Sequence, residues 1–272
     1  MTDASSAAGA AASSRHAHRP LRHAVVFRYL DVRRVERLTP HMQRVVFGGD
    51  DLRGFLSAAP DDHVKLFLPN RDGELVLPTF GADGPVFPPG REPSPSRDYT
   101  PRRFDAAAGE LTIDFVLHEA GPASDWARQA APGQTLGLGG PRGSFVVAGD
   151  FDRYVLIGDE TALPAIGRWL EEMPAGVRVC ARVEIPTPDD RQQLATQAEL
   201  DLAWLPRDGV SAAAATRLER ALEALPDLAG DTFYWIAAES HRARAMRQWL
   251  DARGVPKEWI RATGYWKADA DA

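Results

Sequence analysis

The chain has 272 residues, more than one small core needs and enough for two domains or one large one. Apolar residues make up 44% and charged residues 26%, as in an ordinary globular enzyme; no apolar run approaches the roughly 18–20 residues of a membrane helix, so no membrane is expected. The formal charge of −6 argues against general nucleic-acid binding but leaves room for an anionic small ligand, because charges are screened beyond about 8 Å and a few cations in a cleft outweigh distant carboxylates.

Residues 1 to 19 are rich in Ala, Ser, His and Arg, lack the apolar stretch of a secretory signal, and read as a disordered tail. Short segments rich in branched and aromatic residues follow, punctuated by Gly, Pro and Asp: 25–35, 43–47, 63–68, 98–104, 111–117, 133–140 and 144–147. That density of short strands predicts an antiparallel β-barrel over residues 20–148. Between Leu77 and Ser96 the Pro/Gly-rich chain reads as a loop that either covers a ligand or is partly disordered.

After about Gly149 the rhythm changes. Strands are expected at 154–157, 177–185, 202–205, 232–237 and 260–265, and helices at 161–172, 212–225 and 240–253. Alternating strands and helices predict an open α/β domain with a parallel sheet over 149–272. The fold class is therefore α+β with two domains, a barrel followed by a nucleotide-type α/β half. The single Cys180 allows no internal disulfide, fits a reducing cytoplasm, and reads as a buried strand residue in V-R-V-C-A-R-V-E.

Three segments carry candidate chemistry. In S-R-D-Y-T-P-R-R-F, Arg97 suits a phosphate, Tyr99 an aromatic ring and Thr100 a ring nitrogen, which a dinucleotide such as FAD offers together. Arg97 and Tyr99 share one face of a strand, so Thr100 meets a flavin edge only through a strand twist or its backbone amide, and Pro101 fixes its pose. The competing reading is an ordinary strand with a core Tyr. In L-H-E-A-G-P-A-S-D-W-A, a Gly121-Pro122 turn opens a helix whose first amides, with the Ser124 hydroxyl, favour a phosphate; an ordinary Gly-Pro turn with a core Trp competes. In L-I-G-D-E-T-A-L-P-A-I, Gly158 turns a strand into a helix at the place where a nucleotide domain meets a pyrophosphate. Asp159 and Glu160 have the wrong sign there, so backbone amides and Thr161 must make the contact. No His or Cys cluster suits a metal, and no acid–base dyad stands out, so no catalytic side chain is assigned.

Taken in order, R-D-Y-T-P-R, H-E-A-G-P-A-S-D-W-A, G-D-E-T-A-L-P-A-I and A-A-E-S…G-Y-W-K resemble the siderophore-interacting protein family, FAD-dependent ferric-siderophore reductases within the ferredoxin-reductase-like fold. The resemblance runs from about His23 to Lys267. It implies that Arg97, Tyr99, Thr100 and Arg102 bind FAD, with His118, Gly121, Pro122, Ala123 and Ser124 around the flavin pyrophosphate or its edge. It places Gly158, Asp159, Glu160, Thr161, Ala162 and Glu239 beside a nicotinamide nucleotide, NADPH or NADH, and puts a basic cluster of Lys65, Arg142 and Lys267 around an anionic ferric siderophore. The family usually has Gly where this chain has Ala238, whose methyl is expected to narrow the nicotinamide pocket. Glu184 suits a free ribose hydroxyl, whereas Arg182 and Arg191 suit a 2′-phosphate; the reading leans to NADPH. The expected activity is cytoplasmic reduction of chelated Fe³⁺, releasing iron as Fe²⁺. The alternatives are a reductase of the same fold serving a protein carrier or free flavin, and a non-catalytic siderophore-binding or iron-storage adaptor.

Overall fold

The computed structural model describes residues 15–81, 84–119, 121–226 and 229–268. Its first half contains β1 (Arg19–Arg22), β2 (Phe27–Thr39), β3 (Met42–Gly48), β4 (Val64–Phe67), β5 (Thr79–Gly81), β6 (Gly84–Val86), β7 (Ser96–Tyr99), β8 (Arg103–Asp105), β9 (Glu110–Val116), α1 (Pro122–Arg128), β10 (Thr135–Gly139) and β11 (Gly143–Val146). Seven of these strands form one antiparallel sheet in the order β7-β4-β10-β2-β3-β9-β8. Its two edges, β7 and β8, are consecutive in the chain and joined only by Thr100-Pro101-Arg102. A three-residue bridge between opposite edges forces the sheet to curl on itself, which gives the expected barrel. The alternation of strand residues fills its interior with Leu30, Val45, Phe47, Leu66, Leu111, Ile113, Phe115, Leu136 and Leu138.

The expected single strand over 98–104 is thus two, because Pro101 supplies no N–H and interrupts the ladder. The 77–96 loop carries the β5–β6 hairpin, and the Leu77 side chain lies over Gly137, where a Cβ would come within 2.6 Å of it.

The second half contains β12 (Arg153–Gly158), α2 (Leu163–Glu172), β13 (Arg178–Ile185), β14 (Glu199–Pro206), α3 (Arg217–Glu223), β15 (Thr232–Glu239), α4 (Ser240–Asp251) and β16 (Ile260–Trp266). Its five strands are parallel, in the order β14-β13-β12-β15-β16. The strand order reverses between β12 and β15, where an open α/β sheet leaves a crevice at its carboxyl edge. Helix α2 begins with Pro164 in its first turn and buries Leu163, Ile166, Trp169 and Leu170 on the sheet. No helix among the described residues is long and apolar enough to cross a membrane.

Of the expected tail, residues 1–14 lie outside the described ones, and residues 15–19 depart from the expectation. His16 is buried: its ring stacks on Phe151 at 3.8 Å, with Nδ1 2.7 Å from Asp150 Oδ1 and Nε2 2.9 Å from Asp231 Oδ2. Strand β1 then pairs with β11. These partners lie 134 and 215 residues away from His16, beyond the reach of a compositional reading.

The two halves are clamped together by polar contacts. Arg102 forks onto Glu171 of α2, and Arg168 donates to Ser57 Oγ at 2.7 Å and to the Pro101 carbonyl at 3.2 Å. Asp61 accepts from Arg261 and, at 3.3 Å, from the Trp235 indole. His41 holds Asp190 through its amide at 3.0 Å and Nδ1 at 2.9 Å, while the neighbouring Met42 packs into the α/β core.

Candidate functional site

Tyr99 ends β7 opposite Val64, and its ring lies 4.5 Å from Phe115, which continues at 5.5 Å to Trp126 of α1. Burial pushes the Tyr99 hydroxyl up, so the ring stays neutral. Arg97, two residues back on the same face, is exposed and donates only to the Ser96 carbonyl at 2.8 Å, with no carboxylate partner among the described residues. An exposed guanidinium beside a fixed aromatic ring fits a phosphate and a planar ring system. Thr100 is 7% exposed and its side chain neighbours Tyr265 of β16, so it faces the other half of the protein. Arg102 departs from the expected cofactor role: it is buried, held by Glu171, and 3.9 Å from Asp114.

At the second segment His118 is exposed and Gly121 has φ 142°, a conformation that favours glycine. A Cβ on Gly121 would come within 2.9 Å of the His118 ring. Ser124 is fully buried; its Oγ accepts from the His118 amide at 3.0 Å and donates to the His118 carbonyl at 2.9 Å. Its hydroxyl therefore pins the turn, against the expectation of a phosphate contact. What remains for an anion is the backbone of Gly121 to Ser124, whose first helical amides have no acceptor within the helix. Pro122 lacks an N–H, and Ala123 is buried beneath the turn.

The turn after β12 is closed on itself. A Cβ on Gly158 would lie 2.4 Å from Ala162 Cβ and 2.8 Å from the Ala237 carbonyl, so only glycine permits this approach of β12 to β15. Asp159 is fully buried: Oδ1 accepts from the Thr161 amide at 2.9 Å and hydroxyl at 2.5 Å, and Oδ2 from the Trp266 indole at 2.8 Å. Burial and then the charge of Glu160 push its pKa up to about 6, with the hydrogen bonds pulling the other way. Thr161, expected to contact phosphate, donates to Asp159 instead. Glu160 pairs with Arg207 at 2.5 and 2.6 Å.

Glu239 caps α4, accepting from the amides of His241 at 2.6 Å and Arg242 at 3.1 Å. Burial opposes its charge, but these amides outweigh it and hold the carboxyl below its ordinary value. The Ala238 methyl is fully buried in the core beneath the sheet with Ile157 and Ile236, so it does not narrow the approach from the sheet's carboxyl edge as expected. Glu184 is also fully buried, held by Arg242 at 2.9 Å through both oxygens, and Arg182 pairs with Asp201 at 2.7 Å. Neither faces a ribose. Arg191 is exposed. Cys180 is buried, which pushes its thiol up to about 11 and keeps it unreactive.

The three expected acceptor cations come from three elements around the end of β7. Lys65 stands opposite Asp98 and Gly139, with its Nζ 2.7 Å from Asp98. Arg142 follows Gly139 around the next turn, and Lys267 lies two residues beyond Tyr265, the neighbour of Thr100. Both are exposed, and neither has an ion-pair partner among the described residues. Sequence reasoning missed Asp61, His41–Asp190 and Arg242–Glu219, whose partners are too distant in the chain for spacing to indicate. No group of three or more His, Cys, Asp or Glu among the described residues could hold a metal ion.

A curled antiparallel sheet followed by a five-stranded parallel sheet, with an exposed Arg and a fixed Tyr at the seam, defines a two-domain nucleotide-binding fold of the ferredoxin-reductase kind. A ferredoxin reductase from carbazole 1,9a-dioxygenase shares it at TM-score 0.65 and 18% identity, covering 89% of this chain and 70% of that one. Residues 31–145 match the siderophore-interacting FAD-binding domain and residues 151–269 the siderophore-interacting protein domain. The chain belongs to the siderophore-interacting protein family. It is 39% identical over 245 residues to the NADPH-dependent ferric-chelate reductase of Escherichia coli, covering 89% of this chain and 93% of that one. It is 34% identical to the ferric vibriobactin reductase of Vibrio cholerae over 88% of this chain and 89% of that one. The structure of a siderophore utilization protein from T. fusca superposes with TM-score 0.87 at 40% identity, covering 94% and 98% of the two chains.

Proposed function

We propose that this protein is an FAD-dependent ferric-siderophore reductase that uses NADPH and acts in the cytoplasm. The observation that carries the reading is the end of β7, where Arg97, Tyr99 and Thr100 meet β16 of the other half and Thr100 neighbours Tyr265, two residues short of Lys267. Bound FAD would supply the chemistry here, two-electron exchange with the nicotinamide and one-electron exchange with iron. Arg97 binds its phosphate, Tyr99 and the aromatic column behind it support the ring, and the Thr100 backbone is the contact left for the ring edge. The backbone amides between Gly121 and Ser124 hold the pyrophosphate. Residues 20–148 form the FAD half and residues 149–272 the nicotinamide half, with the turn at 158–162 and the 237–239 strand end forming the crevice.

The ferric chelate is the substrate, drawn to Lys65, Arg142 and Lys267. Each Fe³⁺ takes one electron, and Fe²⁺ leaves because it binds hard oxygen donors more weakly. No side chain must give or take a proton in this transfer. The test is anaerobic: NADPH should bleach the flavin's visible absorption band, and a ferric siderophore should restore it. A bleached protein that the chelate leaves bleached refutes the reading, and a colourless protein that takes up no FAD points to a binding adaptor.

A further inference from the structure

The outer face of the barrel sheet carries an aromatic surface that electron transfer itself does not require. Residues in register on neighbouring strands share a face. Two such rows cross β7, β4, β10 and β2: Asp98, Lys65, Gly139 and Phe27 form one, and Ser96, Phe67, Gly137 and Tyr29 the next. Between them, Leu66 and Leu138 face the barrel core. Gly139 has no side chain, and two rings close over it: a Cβ there would lie 2.9 Å from a Phe27 ring carbon and 3.3 Å from one of Phe67. Phe80, from the β5–β6 hairpin, stacks on Phe27 with centroids 5.0 Å apart and planes 23° apart. Its side is open, for Phe80 is 54% exposed, Val86 52% and Tyr29 50%.

The same row joins this surface to the cations of the acceptor site. Only β10 separates Phe27 from Lys65, about 10 Å at the usual strand spacing. Arg142 follows Gly139 around the Gly140-Pro141 turn. A ligand seated here meets Arg142 and the Lys65–Asp98 ion pair on one side and a flat apolar ring on the other. Among ferric chelates, those whose donor oxygens sit on aromatic rings present both features; aliphatic hydroxamate chelates present no ring. We infer that Phe27 and Phe80 form an aromatic wall of the acceptor site and select catecholate-type ferric chelates over aliphatic hydroxamate ones, an inference that rests on the acceptor site proposed above.

The probes are gallium(III) tris-catecholate and gallium(III) tris-acetohydroxamate, redox-inert stand-ins titrated calorimetrically into the FAD-loaded protein. Phe80→Leu keeps apolar bulk and removes the ring. It should weaken the catecholate complex about two- to tenfold, the size of one aromatic contact, and leave hydroxamate affinity unchanged. Phe80→Tyr, which restores a ring, should recover the catecholate affinity. Equal weakening of both chelates, no weakening of either, or a loss of FAD or of self-association in place of chelate affinity overturns the wall. These results leave the reductase reading standing if ferric chelates still reoxidise the reduced wild-type protein. A wild-type protein that neither ferric catecholate nor ferric hydroxamate reoxidises overturns the acceptor site itself.

Discussion

Replacing Arg97 and Arg102 one at a time separates cofactor binding from domain clamping, although the two arginines are five residues apart in one motif. Arg97 is exposed and among the described residues donates only to a backbone carbonyl, so Arg97→Ala leaves no buried charge behind and barely changes thermal stability. A hydrogen bond to a charged group contributes about 1.5–3 kcal/mol, which predicts FAD affinity about ten- to a hundredfold weaker. Arg102→Ala acts elsewhere. Breaking a fully buried ion pair costs about 3–5 kcal/mol, but Glu171 is 37% exposed and regains water, and Asp114 keeps its two bonds to Arg44 at 2.7 and 2.8 Å. The expected cost is therefore about 1–2 kcal/mol, or about 2–8 °C in melting temperature. Flavin fluorescence on titrating apoprotein with FAD reads the first quantity, and calorimetric melting of the apoprotein reads the second. If Arg97→Ala binds FAD as wild type does, or Arg102→Ala loses FAD with no loss of stability, the assignment of the two arginines is wrong.

Both nitrogens of His16 face carboxylates, which only accept, so the ring carries both protons. Burial opposes that charge, but the bonds to Asp231 and Asp150 outweigh it and raise the pKa; the stabilisation is complete below the unfolded value of about 6.5 and lost as pH rises through the folded one. The melting-temperature difference between wild type and His16→Ala should therefore shrink as pH rises above about 6.5, and a difference that grows contradicts a charged His16 held between Asp150 and Asp231. Asp159 runs the same way at lower pH. Its raised carboxyl takes a proton more readily folded than unfolded, so its contribution to stability falls as pH rises from about 4 to about 6, and calorimetry of Asp159→Asn across that interval should lack this slope. Gly121→Ala must hold φ near 142°, a strain of about 1–3 kcal/mol; the exposed His118 ring can swing aside but the backbone cannot, so the purified variant should carry less FAD, read from its flavin-to-protein absorbance ratio.

Local pattern reports burial well and partners poorly. The strand alternation of Leu30 and Val32, or of Leu66 and Leu68, and the apolar stripe of α2 record which faces turn inward, so the barrel and the parallel sheet were legible from periodicity. The strand carrying Arg97 and Tyr99 and the turn at Gly121 were legible too, since they depend on adjacent residues. Arg102, Ser124, Thr161 and Glu184 carry the right side chains for a ligand and are engaged within the protein instead. Nothing local tells an Arg102 that meets a phosphate from one that meets Glu171, 69 residues on, because the partner arrives only when the sheet curls and the two halves dock. The pairing of β1 with β11 was hidden for the same reason: four residues of mixed character become a strand only beside Gly143–Val146.

The bridge of Thr100, Pro101 and Arg102 between the opposite edges of the barrel sheet sets where this chain tolerates a change of length. An extra residue there would part the edges, slide Tyr99 out of line with Val64 and carry Arg102 away from α2. The β5–β6 hairpin, by contrast, meets the barrel among the described residues at its base and through the Phe27–Phe80 contact, so it can lengthen or shorten without disturbing the seam. Divergence in what such proteins accept is thus free to proceed by insertion on the outer face, while the cofactor end of the barrel must change by substitution alone.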